Sequence, residues 1–240
     1  MGKIFKILEW DSKFFGYKIA SIRDSDLKLK ELDIIMKELK LQGVRLAYCF
    51  VSPEDEISNS NLKKVSGLLV DEKITFSIRI TETDIYTGSN FIKPYNLNYT
   101  SEKLKSIALQ SGIYSRFKVD SNFRNNEYER LYTEWIDKSV QREIAEEVLV
   151  YLENEDEKGL IALGLRGNTG SIGLLAVDNA ERGKSIGKKL VHSALIYFKE
   201  KGVNIVEVVT QAENKGACGF YRSLGFEVKS IVNIYHLWIS

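Results

Sequence analysis

The sequence has few cysteines and few histidines. Its 240 residues contain two cysteines, Cys49 and Cys218, and two histidines. The cysteines lie far apart and form no Cys-x-x-Cys pair, which argues against a disulfide framework and a zinc site. We therefore expect no metal cofactor and a location in the reducing cytoplasm.

Long hydrophobic runs and an excess of one charge are also lacking. No stretch reaches about 18 uninterrupted apolar residues, and the opening sequence MGKIFKILEWDSKFFG is too charged for a secretory signal. The 34 lysines and arginines against 33 aspartates and glutamates leave a net charge of +1. No global electric field would recruit nucleic acid or an anionic membrane, so neither is an expected partner.

Two regions of different pattern follow one another along the chain. Over the first 80 residues, predicted strands (14–22, 44–52, 73–80) take turns with predicted helices (26–39, 55–67). Periodicity fades from Thr81 to about Asn98, where Gly, Ser, Asn and Pro accumulate. We therefore predict a small N-terminal α/β domain over residues 1–92 and a second domain over residues 93–240.

The second region predicts helices and strands in a recognisable order. Two helices, 101–110 and 127–140, precede three strands at 147–152, 160–165 and 171–177, which turn sequences join into an antiparallel meander. The remaining elements are a helix at 184–201, a strand at 203–210, a helix at 214–224 and a strand at 226–239. The order βββ-α-β-α-β predicts an α/β fold with a mixed sheet.

The segment VDNAERGKSIGKKLV, residues 177–191, contains a Gly-Lys-Ser and a cluster of basic residues. A nucleotide-binding P-loop would need glycine at the position of Asp178, so that interpretation is disfavoured. An ordinary helix start with solvated lysines remains an alternative. The cluster lies at a strand-to-helix turn, however, where free N–H groups and the helix dipole favour an anion. Phosphate binding without a P-loop is therefore the preferred interpretation.

Residues 171–226 resemble the acetyl-CoA core of the GCN5-related N-acetyltransferase (GNAT) superfamily. The signature [Q/R]-x-x-G-x-[G/A] is matched by Arg182, Gly183, Lys184, Ser185, Ile186 and Gly187, with Ser185 standing where the family has glycine. A second motif, N-x-x-A-x-x-x-Y-x-x-x-G-F, is matched by Asn214, Ala217, Tyr221, Gly225 and Phe226. The resemblance implies the GNAT acyl-CoA transferase fold and acetyl-CoA as co-substrate.

A narrower resemblance extends over most of the chain. The segments LEWDSKFFGYKIASI, SGIYSRFKVD with YTEWIDKSV, and VTQAENKGACGFYRSLGF are similar to those of bacterial TDP-fucosamine acetyltransferases. This resemblance implies transfer of acetyl to the 4-amino group of a dTDP-linked 4-amino-4,6-dideoxyhexose for cell-surface polysaccharide. GNAT proteins often pair through C-terminal strands, so a homodimer is also implied.

The superfamily resemblance assigns roles to particular residues. Main-chain groups of Leu175, Ala176 and Val177 would pair with pantetheine, and the amides from Arg182 to Lys188 would hold the pyrophosphate. Asn214 would hydrogen-bond the pantetheine arm. Tyr221 would be the general acid, since an unperturbed phenol has a pKa near 10, close to that of an alkyl thiol.

The sequence identifies the acceptor-binding residues and the general base less clearly than the cofactor site. The segment SRFKVDSNFRNNEY interleaves cations with aromatic rings, and its Arg116, Phe117, Lys118 and Arg124 are candidates for contacts to a second pyrophosphate and to a base. A solvated loop with apolar anchors fits the same residues. No general base is identifiable, because His192 and His236 have ordinary structural interpretations. Two other functions stay open, acetylation of a protein or small-molecule amine and CoA binding without catalysis.

Overall fold

The computed structural model describes residues 5–22 and 27–239. The ten strands in this part of the chain are β1 (Phe5–Ile7), β2 (Lys18–Ile22), β3 (Val44–Val51), β4 (Leu68–Arg79), β5 (Ile92–Pro94), β6 (Glu147–Glu153), β7 (Asp156–Arg166), β8 (Thr169–Val177), β9 (Ile205–Gln211) and β10 (Glu227–Trp238). The eight α-helices are α1 (Glu9–Phe15), α2 (Leu29–Leu41), α3 (Glu56–Lys64), α4 (Glu102–Ser111), α5 (Arg116–Val119), α6 (Glu127–Val140), α7 (Ile186–Glu200) and α8 (Lys215–Ser223). A short 3₁₀ turn spans Asn179–Glu181.

The chain divides into two compact units. Unit 1 comprises residues 1–74, 211–213 and 230–240, and unit 2 comprises residues 75–210 and 214–229. The division after residue 74 differs from the domain boundary predicted after residue 92, and residues 233–238 of the C-terminal strand β10 pair with β3 within unit 1. A boundary between domains at residues 92 and 93 stays a prediction.

Unit 1 contains a mixed sheet packed against helices. β1 pairs antiparallel with β2, β2 pairs parallel with β3, and β3 pairs antiparallel with β10. Leu32, Ile35 and Leu39 of α2 are buried in its core, on the stripe that the helical spacing predicts. The parallel pairing of β2 with β3 is the one expected from the alternation of strands and helices in the sequence.

Unit 2 is built on the antiparallel meander that the sequence predicts. β5 pairs with β6, β6 with β7 and β7 with β8, all antiparallel, and β8 then pairs parallel with β9. The helix α7 connects β8 to β9, as a parallel pair requires. The α/β class with mixed strand pairing is confirmed.

Strand β8 contains a bulge at Gly173. Ala162 of β7 pairs with Leu174, whereas the next residue, Leu163, pairs with Ile172, so that Gly173 is the extra residue. A Cβ on Gly170 would meet the ring of Phe198 in α7, so residue 170 faces that helix. Val177 also faces α7, although it lies an odd number of residues away. The bulge therefore turns Leu174 to the face opposite α7.

Local sequence signals account for the helices next to the meander. The Ser101 hydroxyl accepts a hydrogen bond from the Leu104 amide at 3.0 Å and caps α4, the role that serine favours before a helix. Helix α6 has the predicted bounds and buries Leu131 and Ile136 on one face.

The structure differs from the predicted elements near the N-terminus. Residues 9–15 form helix α1, whereas a strand was predicted to begin at residue 14. Gly16 ends this helix with φ +81°, and the strand begins only at Lys18. The short strand β5 lies where the sequence shows no periodicity. Among the helices of residues 5–22 and 27–239, none has the length and apolar content to cross a membrane.

Helix α4 ends at a glycine that leaves no room for a side chain. A Cβ on Gly112 would lie 2.1 Å from a ring carbon of the buried Tyr132 in α6. We expect Gly112→Ala to lower the free energy of unfolding by about 1–3 kcal/mol through overpacking. Urea denaturation measures this change, and Gly219→Ala is the control because no atom lies within 4 Å of its Cβ position. Equal stability of the two variants would contradict the expected close packing.

Candidate active site

A cavity of about 540 Å³ lies at the carboxyl end of β8 within unit 2. Four other segments line it together with the end of β8, namely the end of α4 with the residues that follow it, the loop before α7, the start of α7 and helix α8. Of the predicted cofactor-binding and catalytic residues, it brings together Leu175, Ala176, Val177, Arg182, Gly183, Ser185, Ile186, Gly187, Lys188, Asn214 and Tyr221. Two motifs far apart in the sequence therefore meet at one site.

The last residues of β8 present main-chain groups at this cavity. β8 pairs with β7 along its length, but its described pairing with β9 covers only residues 170–172. Within the described part of the chain, the edge at residues 175–177 that faces away from β7 therefore has no partner strand. An extended ligand can pair there in the manner of an added strand.

The start of α7 offers backbone amides to an anion. The first helical hydrogen bond runs from the Lys189 amide to the Ser185 carbonyl, so the amides of residues 186–188 precede it. The Ser185 side chain does not accept a hydrogen bond from these amides. The positive end of the helix dipole adds to their attraction for an anion such as phosphate.

An ion-pair network fixes the loop that precedes α7. The Glu181 carboxylate lies 3.2 Å from Lys158 of β7 and 2.6 Å from Lys184. Its pKa is lowered, first by the hydrogen bond from Lys184 and then by the one from Lys158. Asp178 pairs with Lys103 of α4. The loop is thereby anchored to β7 and α4, and the charge of Glu181 at the cavity is neutralised.

Lys184 is the predicted cofactor-binding residue that does not line the cavity. Its ammonium binds Glu181, and 62% of the side chain is exposed. The cationic side chains that do line the cavity are Arg182 and Lys188. The geometry thus indicates that Lys184 holds the loop in place. It does not support a direct contact between Lys184 and phosphate.

Tyr221 is buried on α8 with its ring among aromatic side chains. The ring centroids of Phe76, Phe220 and Phe226 lie 5.8, 5.3 and 5.6 Å from its own. Within the described part of the chain its hydroxyl makes no hydrogen bond, so it is available to a ligand in the cavity that it lines. Burial and the neighbouring Cys218 raise the pKa of the phenol. Tyr221 is therefore protonated at neutral pH and can act as a donor, not as a base.

The raised pKa changes the expected energetics of proton transfer. An unperturbed phenol would have matched an alkyl thiol, whereas the buried phenol of Tyr221 is the weaker acid. Donation to a thiolate in this cavity is then favourable only if burial raises the pKa of the thiol as well.

Asn214 precedes α8 and caps it. Its side-chain oxygen accepts a hydrogen bond from the Ala217 amide at 3.1 Å. Asn214 also lines the cavity, and its side-chain NH₂ remains as a donor. A structural role and the predicted contact with pantetheine are therefore compatible.

The predicted acceptor-binding residues do not line this cavity. Arg116, Phe117 and Lys118 form the short helix α5, and Phe117 is buried against Trp135 of α6. Lys118 pairs with Glu129 at 2.9 Å. Arg124 lies in the turn before α6. These contacts fit the alternative of a loop held by apolar anchors.

Neither histidine lines the cavity. His192 lies on α7, with its ring 5.7 Å from that of Tyr86, and burial followed by the charge of Lys188 lowers its pKa. His236 is fully buried in unit 1, with its ring 5.0 Å from that of Tyr48. The structure therefore assigns no histidine as a general base at this site.

Sequence reasoning missed part of the cavity wall. Gln110, Ile113, Tyr114 and Phe220 line it although the sequence assigned them no role. The Gln110 side-chain oxygen accepts a hydrogen bond from the Asn179 amide at 2.8 Å and so supports the loop. The sequence placed these residues at the end of a predicted helix or next to Tyr221. That position indicates that they lie near the site but does not indicate what they do there.

Ser185 carries backbone strain at the position where the signature has glycine. Its φ is +60°, in the left-handed region that disfavours residues with a Cβ. We expect Ser185→Gly to raise the free energy of unfolding by up to about 1 kcal/mol. Thermal denaturation tests this, with Gly219→Ala as a control. A stability unchanged or reduced relative to the parent chain would contradict the assignment of strain.

Comparison with known proteins agrees with this geometry. Residues 111–226, nearly half of the chain, match the acetyltransferase (GNAT) family. An uncharacterized N-acetyltransferase from Methanocaldococcus jannaschii is 48% identical over 56 residues, which cover 23% of this chain and only 25% of that protein. The dTDP-fucosamine acetyltransferase of Escherichia coli is 24% identical over 230 residues, covering 93% of each chain.

A solved structure shows the same fold. The GCN5-related N-acetyltransferase from Sphaerobacter thermophilus superposes with a TM-score of 0.64 over 98% of this chain and 76% of its own, at 12% identity. Its similarity concerns the fold alone, whereas the family match includes both motifs that meet at the cavity. Residues 111–226 therefore resemble the GNAT family in sequence, and the chain shares the fold of a GCN5-related N-acetyltransferase.

Proposed function

We propose that this chain is an acetyl-CoA-dependent N-acetyltransferase whose acceptor is a dTDP-linked 4-amino-4,6-dideoxyhexose. One observation carries the activity: the residues of the unpaired edge of β8, the residues that begin α7, and Tyr221 all line one cavity. The sugar nucleotide rests on the full-length similarity to a dTDP-fucosamine acetyltransferase. Such an enzyme would serve the synthesis of a cell-surface polysaccharide.

The residues of the cavity fit coenzyme A. The amides of residues 186–188, with Arg182 and Lys188 beside them, provide donors and positive charge for a pyrophosphate. At Gly183 no atom lies within 4 Å of the Cβ position, so a side chain would project into open space. The edge at residues 175–177 suits the amide groups of pantetheine.

Acetyl-CoA, when bound, would supply an acetyl group activated as a thioester. The acceptor nitrogen forms a C–N bond to the acetyl carbon as the C–S bond breaks. The nitrogen releases one proton to water, and Tyr221 regains from water the proton that it gives to the sulfur. Main-chain N–H groups at residues 175–177 can stabilise negative charge on the carbonyl oxygen. The Tyr221 hydroxyl holds the proton that the leaving sulfur takes up.

The proposed function is tested with acetyl-CoA and a panel of acceptors. The purified chain is incubated with dTDP-4-amino-4,6-dideoxyhexoses of both C4 configurations, with peptides that have free N-termini, and with small amines. Release of free thiol measures turnover. We expect turnover with at least one of the dTDP-amino sugars.

Two results would contradict the proposal in different ways. Turnover confined to peptide or small amines would show an N-acetyltransferase with another acceptor. Binding of CoA without turnover on any amine would show a CoA-binding module, and neither enzyme function would stand.

A further inference from the structure

A second cavity of about 330 Å³ lies in unit 2 beside the same strand. It is lined by α6, the segment that follows α6, and the ends of β7 and β8 next to their turn. The bulge at Gly173 turns Leu174 to the face opposite α7, and Leu174 lines this second cavity. The next residue, Leu175, lines the first cavity. Consecutive residues of one strand therefore reach both cavities.

This arrangement suits a reaction with two substrates. Acyl transfer requires the acceptor atom to come within about 3–3.5 Å of the acyl carbon. Leu174 of the second cavity and Leu175 of the first are adjacent in β8, so ligands in the two cavities would approach the same part of this strand.

The lining of the second cavity favours a planar ring together with an anionic group. Trp135 of α6 is half-buried and contributes to the wall. Arg166 is exposed at the end of β7 and, within the described part of the chain, makes no ion pair. Among the described lining residues none carries a carboxylate, so nothing in the wall repels an anion. A guanidinium fork matches a phosphate, and an indole ring matches a nucleobase.

Two glycines, Gly164 and Gly173, line the second cavity and leave space where other residues would have a side chain. A Cβ on Gly164 or on Gly173 would lie 3.8 Å from its nearest neighbour, which is an ordinary contact. Neither residue has a positive φ that would strain a substituted side chain. A larger residue at either position would therefore occupy the cavity at little cost to the fold.

We infer that the second cavity binds the nucleoside diphosphate part of the acceptor, with Trp135 stacking on the base and Arg166 binding the diphosphate. This inference rests on the proposed function, since it identifies where that acceptor is held. It replaces Arg116, Phe117, Lys118 and Arg124 as the proposed nucleotide contacts.

The test is calorimetric titration of the whole chain with dTDP in the presence of saturating CoA. Arg166→Gln and Gly173→Val are each expected to weaken dTDP binding about 10-fold or more. Quenching of tryptophan fluorescence by dTDP is expected to persist in Trp10→Phe and to disappear in Trp135→Phe. Gly219→Ala is the control for a glycine replacement outside both cavities.

The outcomes separate this inference from the proposed function. Absence of dTDP binding to the parent chain, or binding that Arg166→Gln and Gly173→Val leave unchanged, overturns the inference. If Gly173→Val acetylates a dTDP-amino sugar with unchanged KM, the inference fails while the proposed function stands. If dTDP binds as expected but no amine is acetylated, the proposed function fails and the nucleotide site remains.

Discussion

Replacing Tyr221 with phenylalanine is expected to lower kcat by about 100-fold or more, the usual contribution of a general acid. The variant removes only the hydroxyl of a residue that lines the cavity and keeps a ring that packs against Phe76, Phe220 and Phe226. Because this hydroxyl makes no hydrogen bond within the described part of the chain, the free energy of unfolding should change little. Steady-state kinetics with the best acceptor, together with calorimetric binding of CoA, measures both effects.

A matched control keeps this result interpretable. Tyr197→Phe removes a hydroxyl from α7 outside the cavity, so kcat should stay near that of the parent chain. A Tyr221→Phe variant that retains its kcat would exclude the phenol as the proton donor. A loss of CoA affinity equal to the loss of kcat would instead indicate a binding role for Tyr221.

The second large effect is expected for Gly183→Leu, which should weaken CoA binding by about 100-fold or more. Gly183 lines the cavity and its Cβ position is open, so we expect a leucine there to compete with a charged group for the amides of residues 186–188. Loss of such hydrogen bonds costs about 1.5–3 kcal/mol each, and about 1.4 kcal/mol corresponds to a 10-fold change in Kd. Calorimetric titration with CoA measures the change.

Gly202→Leu controls for backbone strain. Gly202 has φ +71° and Gly183 has φ +83°, and for both the space around the Cβ position is open. The two variants should therefore lose similar stability, about 1–2 kcal/mol, from the left-handed backbone. Gly202 follows α7 and does not line the cavity, so its variant should bind CoA normally. Equal affinities of the two variants would contradict the proposed pyrophosphate site.

The sequence predicted unit 2 more completely than unit 1. The meander, α6 and the cap of α4 follow from local signals, namely turn residues, an apolar stripe and Ser101. Helix α1 was wrongly predicted in part as a strand, because Phe14 and Phe15 have high strand propensity and the helix is defined by its end at Gly16. Short helices depend on such terminal contacts more than on periodicity.

The candidate site was predictable where it uses the backbone. The backbone amides that can bind an anion lie at a strand-to-helix turn, and the two sequence motifs indicate where that turn is. Side chains that depend on tertiary packing were not predictable in the same way. Alternating cations and aromatic rings at residues 116–124 suit a binding loop, but Phe117 is buried and Lys118 is paired with Glu129. Lys184 was likewise already held by Glu181.

The bulge in β8 makes the hairpin of β7 and β8 more sensitive to chain length than to side-chain identity. A side chain can replace the hydrogen of Gly173 without a clash, because its nearest neighbour would be 3.8 Å away. Deleting that one residue would restore strict alternation and exchange the two faces of the strand beyond it. The fold should therefore tolerate a substitution at position 173, even one that fills the second cavity, whereas it should not tolerate an insertion or a deletion there.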